Sequence, residues 1–116
     1  MDEILHLTLL YDFYGELLTE KQKQVFAMHY QEDLSFSEIA EELSISRQAV
    51  RDQLKRTEGI LMDYEQKLGL VEKFQSQKKS VRKMLDLLES LETEGLFEHR
   101  IRQMETIKQI AAEILA

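Results

Sequence analysis

The chain is expected to fold as an all-α protein, a helix-turn-helix bundle followed by a long C-terminal α-helical hairpin. Three observations predict this. The 116 residues contain no proline and only four glycines, so little interrupts helix. Leu34 to Glu58 reads LSFSEIAEELSISRQAVRDQLKRTE, with apolar and small residues where two short helices crossing at a tight turn need them. From about Val71 onward, apolar residues recur at steps of three and four, broken at Gly95.

In chain order, Ile4, Leu7, Leu10 or Tyr11, Tyr14 and Leu17 or Leu18 space an amphipathic first helix to about Glu16, with Phe13 as a second apolar edge. Thr19 with Gln22 three residues later has the form of a capping box. A second helix should therefore start at Glu20 and bury Val25, Phe26 and His29 or Tyr30. Gln31 to Leu34 reads as a turn. Ser35 with Glu38 repeats the capping box and opens a third helix ending near Leu43, whose stripe is Ile39, Ala40 and Leu43. Ser44-Ile45-Ser46 forms the next turn, and Ser46 is a good N-cap for a fourth helix reaching about Lys67, where Gly69 suits a left-handed terminus.

Val50, Leu54, Thr57 and Leu61 mark the buried side of that fourth helix, and Gly59 is a weak point within it. Opposite lie Gln48, Asp52 and Lys55, with Arg47, Arg51 and Arg56 at the edges. This outward face is the one able to reach a DNA groove, and the ordinary alternative is a solvated helix surface. The small Ala40 lets the two helices cross closely.

The fifth helix carries Phe74, Val81, Met84 or Leu85, Leu88 and Leu91. The sixth carries Phe97, Ile101, Met104, Ile107 or Lys108, Ala111 and Ile114 or Leu115. Joined by a short turn, they make a hairpin whose apolar positions are wider than one seam requires. The excess is expected to pack on the first half or, in preference, on a second copy in a homodimer. The expected division is residues 1–68 as helix-turn-helix domain and 69–116 as dimerisation arm.

Charge is unevenly placed. Residues 1–70 hold 7 Lys and Arg against 14 Asp and Glu, so the net charge of -7 resides there, while residues 71–116 hold 8 against 8. A duplex repels such a body at long range, so contact would run through the short strip from Arg47 to Thr57. That strip carries four positive charges against Asp52. No apolar run approaches the roughly 20 residues that cross a bilayer, and the acidic start is unlike a secretory signal. A cytoplasmic protein without membrane insertion is expected.

Nothing in the sequence assembles a catalytic constellation. His6, His29 and His99 are scattered, Glu3 and His6 form a single Glu-x-x-His, and no phosphate-cradling glycine loop or nucleophile elbow occurs. With no cysteine there is no thiolate metal site. Neither cofactor nor enzymatic activity is expected. The carboxylates Glu38, Glu41 and Glu42 read as a solvated face, and Tyr11-Asp12-Phe13-Tyr14 as packing rather than a base-stacking platform.

From Leu18-Thr19-Glu20 through Ala49-Val50 to Leu54, the capped helix, capping box, turn and cationic helix resemble region 4 of the sigma-70 factors, which reads promoter DNA. The longer pattern is Leu9-Leu10-Tyr11-Asp12-Phe13-Tyr14-Gly15-Glu16-Leu17-Leu18-Thr19, Ser46-Arg47-Gln48-Ala49-Val50 and Tyr64-Glu65-Gln66-Lys67-Leu68, and it resembles the bacterial YlxM family over about two thirds of the chain. That resemblance implies a small all-helical DNA-binding or regulatory protein of Gram-positive bacteria, connected with signal recognition particle components. The alternative it implies is an adaptor whose acidic surface contacts the signal recognition particle GTPase or its RNA-bound assembly. Carried over from the sigma likeness, Arg47, Gln48, Arg51 and Asp52 would face base edges, and Lys55 and Arg56 would reach phosphate. Two departures stand out: Asp52 puts a carboxylate toward the groove, suited to cytosine N4, and the helix beyond Arg56 turns acidic with Glu58, Asp63 and Glu65.

Overall fold

The computed structural model describes residues 2–93 and 98–116. Among these residues the chain is helical, without strands: α1 (Glu3–Tyr14), a 3₁₀ turn (Gly15–Leu17), α2 (Glu20–Tyr30), α3 (Phe36–Leu43), α4 (Arg47–Leu68), α5 (Leu70–Thr93) and α6 (Glu98–Leu115). The expected end of α5 at Gly95 and the expected place of Phe97 on α6 lie outside the described residues. The chain forms two compact units, Met1–Val71 and Glu72–Ala116.

In the first unit the helix starts are fixed by side chains. Thr19 Oγ1 accepts from the Gln22 amide at 3.2 Å while Gln22 Oε1 accepts from the Thr19 amide at 2.9 Å. Ser35 and Glu38 repeat this arrangement at 3.1 and 2.9 Å, and Ser46 Oγ accepts from the Ala49 amide at 3.0 Å. These bonds satisfy amides that have no partner inside the helix. Ser44 takes a left-handed conformation, φ 56°, and the Ile45 amide bonds back to the Ala40 carbonyl, which makes the sharp turn between α3 and α4.

The first helix is shorter than its periodicity predicts. It stops at Tyr14, and the chain tightens into the 3₁₀ turn. The cause is close packing: Gly15 is buried, and a Cβ there would stand 3.3 Å from the Tyr11 ring, which itself stacks on Phe26 at 4.5 Å. The turn swings Leu17 outward and Leu18 into the core. In α2 the third buried residue is Met28 rather than His29 or Tyr30, which are half-buried. His29 instead donates from Nδ1 to the Leu34 carbonyl at 2.9 Å, closing the turn that follows its helix.

Two apolar clusters share α4. Val25, Met28, Ile39, Ala40, Val50 and Leu54 form one, and Leu7, Leu10, Tyr14, Leu18, Phe26, Leu61 and Val71 the other. A latch closes the second cluster. The Tyr14 hydroxyl donates to Glu65 Oε1, the Leu70 amide donates to the Tyr14 oxygen at 3.1 Å, and the Val71 amide donates to Glu65 Oε1 at 3.0 Å. Burial first, then the Glu65 carboxylate, holds the Tyr14 hydroxyl above the usual tyrosine pKa. Gly69 takes φ 62° between α4 and α5.

In the second unit α5 and α6 run antiparallel, with Lys108 of α6 reaching Glu92 and Glu89 of α5 at 3.4 and 3.8 Å. Val81, Met104 and Ala111 are buried, and Leu85, Leu88, Ile101, Lys108 and Leu115 half-buried along the same seam. A second stripe, Met84, Leu87 and Leu91 on α5 with Ile107, Ile110 and Ile114 on α6, stays exposed.

Candidate nucleic-acid interface

The second helix of the helix-turn-helix is held along one side only. Val50, Leu54, Thr57 and Leu61 are its buried residues. A helix turns by about 100° per residue, so Gln48, Asp52 and Lys55 stand opposite that seam. Gln48, Asp52 and Lys55 are exposed along the middle of that surface, as are Arg47 and Arg51 along one edge and Arg56 along the other. The structure therefore brings the six sequence-predicted residues onto one uncovered surface of their unit.

Their side chains are not equivalent. Arg51 lies over the Phe36 ring of α3, its guanidinium carbon 5.7 Å from the centroid. The aromatic face steadies the arginine without neutralising it. Phe36, Arg47, Gln48 and Arg51 line an open concavity there. Sequence reasoning assigned no role to Phe36, because its meeting with Arg51 depends on how α3 crosses α4. Gln48 Nε2 donates to Asp52 Oδ1 at 2.9 Å, an i to i+4 pair on the outward surface.

Two other cations of this unit are paired, in contrast to most of the strip. Lys23 is flanked by Glu16 at 3.4 Å and Glu20 at 3.6 Å, and Lys67 by Asp63 at 3.0 Å. Among the described residues, Arg47, Lys55 and Arg56 take part in no ion pair. The arrangement is a helix surface with acceptors at its centre, the Asp52 carboxylate and Gln48 carboxamide oxygen, and unneutralised cations on both sides. Acceptors suit exocyclic base amines, and flanking cations suit phosphates.

The family model described as "Putative helix-turn-helix protein, YlxM / p13 like" matches residues 1–111. The chain belongs to this family, UPF0122. The match extends through the hairpin, beyond the two thirds that the sequence motifs cover. A UPF0122 protein of Caldanaerobacter subterraneus subsp. tengcongensis is 53% identical over 87 residues, 75% of this chain and 74% of the relative. A UPF0122 protein of Desulforamulus reducens is 48% identical over 93 residues, 80% of each chain. A UPF0122 protein of Bacillus mycoides is 42% identical over 110 residues, 95% of this chain and 98% of the relative.

Other residues weighed from the sequence fall elsewhere. Tyr11 and Tyr14 are packing residues, stacked on Phe26 and on Tyr64. Among the described residues no group of three or more His, Asp and Glu is placed to hold a metal ion, and no helix is long and apolar enough to cross a membrane.

Proposed function

We propose that this UPF0122 protein is a cytoplasmic DNA-binding regulator that lays α4 in the major groove. Arg47, Gln48, Arg51 and Asp52 meet base edges, and Lys55 and Arg56 meet phosphates. The observation that carries the reading is the exposed surface of α4, where Arg47, Lys55 and Arg56 have no carboxylate partner among the described residues of an otherwise acidic unit. Residues 1–68 are the reading domain in this proposal, and residues 69–116 the arm that pairs two copies through the exposed stripe of Met84, Leu87, Leu91, Ile107, Ile110 and Ile114. Paired copies fit the repeated half-sites on which helix-turn-helix dimers act. The reading gives the chain a binding role rather than a catalytic one.

The test is a fluorescence titration of the protein with random genomic duplex at low salt, beside the Arg47→Ala, Arg51→Ala double variant. The double variant should bind more weakly, and because each phosphate neutralised contributes about -0.9 to the log-log salt slope while Arg47 and Arg51 are assigned to base edges, its slope should stay close to that of wild type. Equal and negligible binding by both proteins removes the proposal. A second reading then takes its place, favoured by the exposed Glu32, Asp33, Glu38, Glu41 and Glu42 around α3. There the acidic surface contacts a basic partner, for which the signal recognition particle GTPase or its RNA-bound assembly is the candidate.

A further inference from the structure

The buried side of α4 contains a polar residue that its surroundings leave unanswered. Thr57 is 1% exposed, and its hydroxyl has no hydrogen-bond partner among the described residues. A helical threonine commonly turns its hydroxyl back to a carbonyl one turn earlier, and this one does not. Thr57 lines a cleft of about 220 Å³ together with Thr19, Lys21, Gln22, Gln53 and Arg56. At roughly 30 Å³ per water, the cleft has room for a small hydrated anion.

The lining is cationic. Lys21 and Arg56 contribute two positive charges, no carboxylate is among the lining residues, and the Glu20 carboxylate is drawn to Lys23 at 3.6 Å. The cleft also lies at the start of α2. There the capping box uses the Thr19 and Gln22 amides, while those of Glu20 and Lys21, the first two residues of the helix, have no partner within it. Free first-turn amides, the positive end of the helix and two cations attract an anion, and the orphaned hydroxyl below them is a donor without an acceptor.

We propose that this cleft, between the start of α2 and the Gln53, Arg56 and Thr57 side of α4, is a seat for a backbone phosphate of duplex DNA. The inference rests on the groove-reading proposal and adds Lys21, Gln53 and Thr57 to it. It also explains the two-sided rim of α4. Arg47 and Arg51 border one edge and Arg56 the other, so the base-reading arginines lie beside Phe36 and a phosphate-binding one at the α2 seat.

The test titrates a fluorescent random-sequence duplex with wild type, Lys21→Gln, Thr57→Val and Arg51→Ala over a range of salt, with a thermal melt of each protein. Lys21→Gln should weaken binding about ten-fold at low salt and make the log-log slope shallower by about 0.9. Thr57→Val should weaken binding while melting no earlier than wild type, since it removes an unsatisfied hydroxyl without emptying the site. Wild-type affinity and slope in both Lys21→Gln and Thr57→Val, with Arg51→Ala still weakened, overturn the seat and leave groove reading standing. No binding by wild type at low salt overturns both.

Discussion

Tyr14 shows how one side chain ties α1 to the junction of α4 and α5, 51 to 56 residues away in sequence. Its ring fills the core between α1 and α4, while its hydroxyl donates a hydrogen bond to Glu65 and accepts one from the Leu70 amide. The hydroxyl thus covers two polar groups at the junction of α4 and α5 that would otherwise be left partly unsatisfied. Tyr14→Phe keeps the ring and removes the bond, so it should lower unfolding free energy by about 1–3 kcal/mol. Urea denaturation should show this as a lower midpoint with little change of slope. The sequence announced Tyr14 as an apolar position at helical spacing and nothing more. Its partner lies 51 residues away, and local periodicity carries no information about such a pair. The same limit applies at the interface: the cationic strip was visible in the sequence, but the aromatic support of Arg51 by Phe36 required the crossing of α3 over α4.

Elements were more legible than contacts, because helix starts are written locally. Both capping boxes, the Ser46 cap and the buried seam of Val50, Leu54, Thr57 and Leu61 stand where the sequence predicts them. The exceptions, the early end of α1 and the burial of Met28, come from tertiary packing around Gly15 and Phe26 rather than from propensity. The two glycines of the α4 region separate the local effects. A methyl group added at Gly59 would meet nothing within 4 Å, and the residue lies within a continuous helix, so Gly59→Ala should stabilise the protein by about 0.5–1 kcal/mol. Gly69 has equal room but φ +62°, and Gly69→Ala should destabilise it by about 1–2 kcal/mol. Thermal melts of the two variants should therefore move in opposite directions. A shared direction would show that space rather than backbone conformation decides.

At the scale of the whole molecule, the hairpin unit carries six exposed large apolar side chains among its described residues, in two stripes on α5 and α6. The sequence showed too many apolar positions for one seam, and the structure sorts them into a buried set and an exposed set. Each exposed stripe repeats at steps of three and four, the spacing of helices that pack side by side. If the stripes cover one another between copies, light scattering should give twice the 13.7 kDa chain mass. Placing charges in that seam with Leu87→Glu and Ile110→Glu should return the mass to that of one chain, with far-ultraviolet dichroism unchanged. A monomeric wild type at micromolar concentration removes the pairing proposal.

The cation at position 108 has a consequence for how the two long helices find each other. Its side chain is only 23% exposed and lies within 4.0 Å of Glu89, Glu92 and Glu105. Against burial, which lowers it, Glu105, Glu92 and Glu89 raise its affinity for a proton above the ordinary lysine value. Sliding α6 by one turn along α5 would press this ammonium against leucine and strand the acid of Glu92 beside an apolar neighbour. Leucine and isoleucine stripes tolerate several alignments nearly equally, so this charge cluster set among them acts as an indexing pin that selects one.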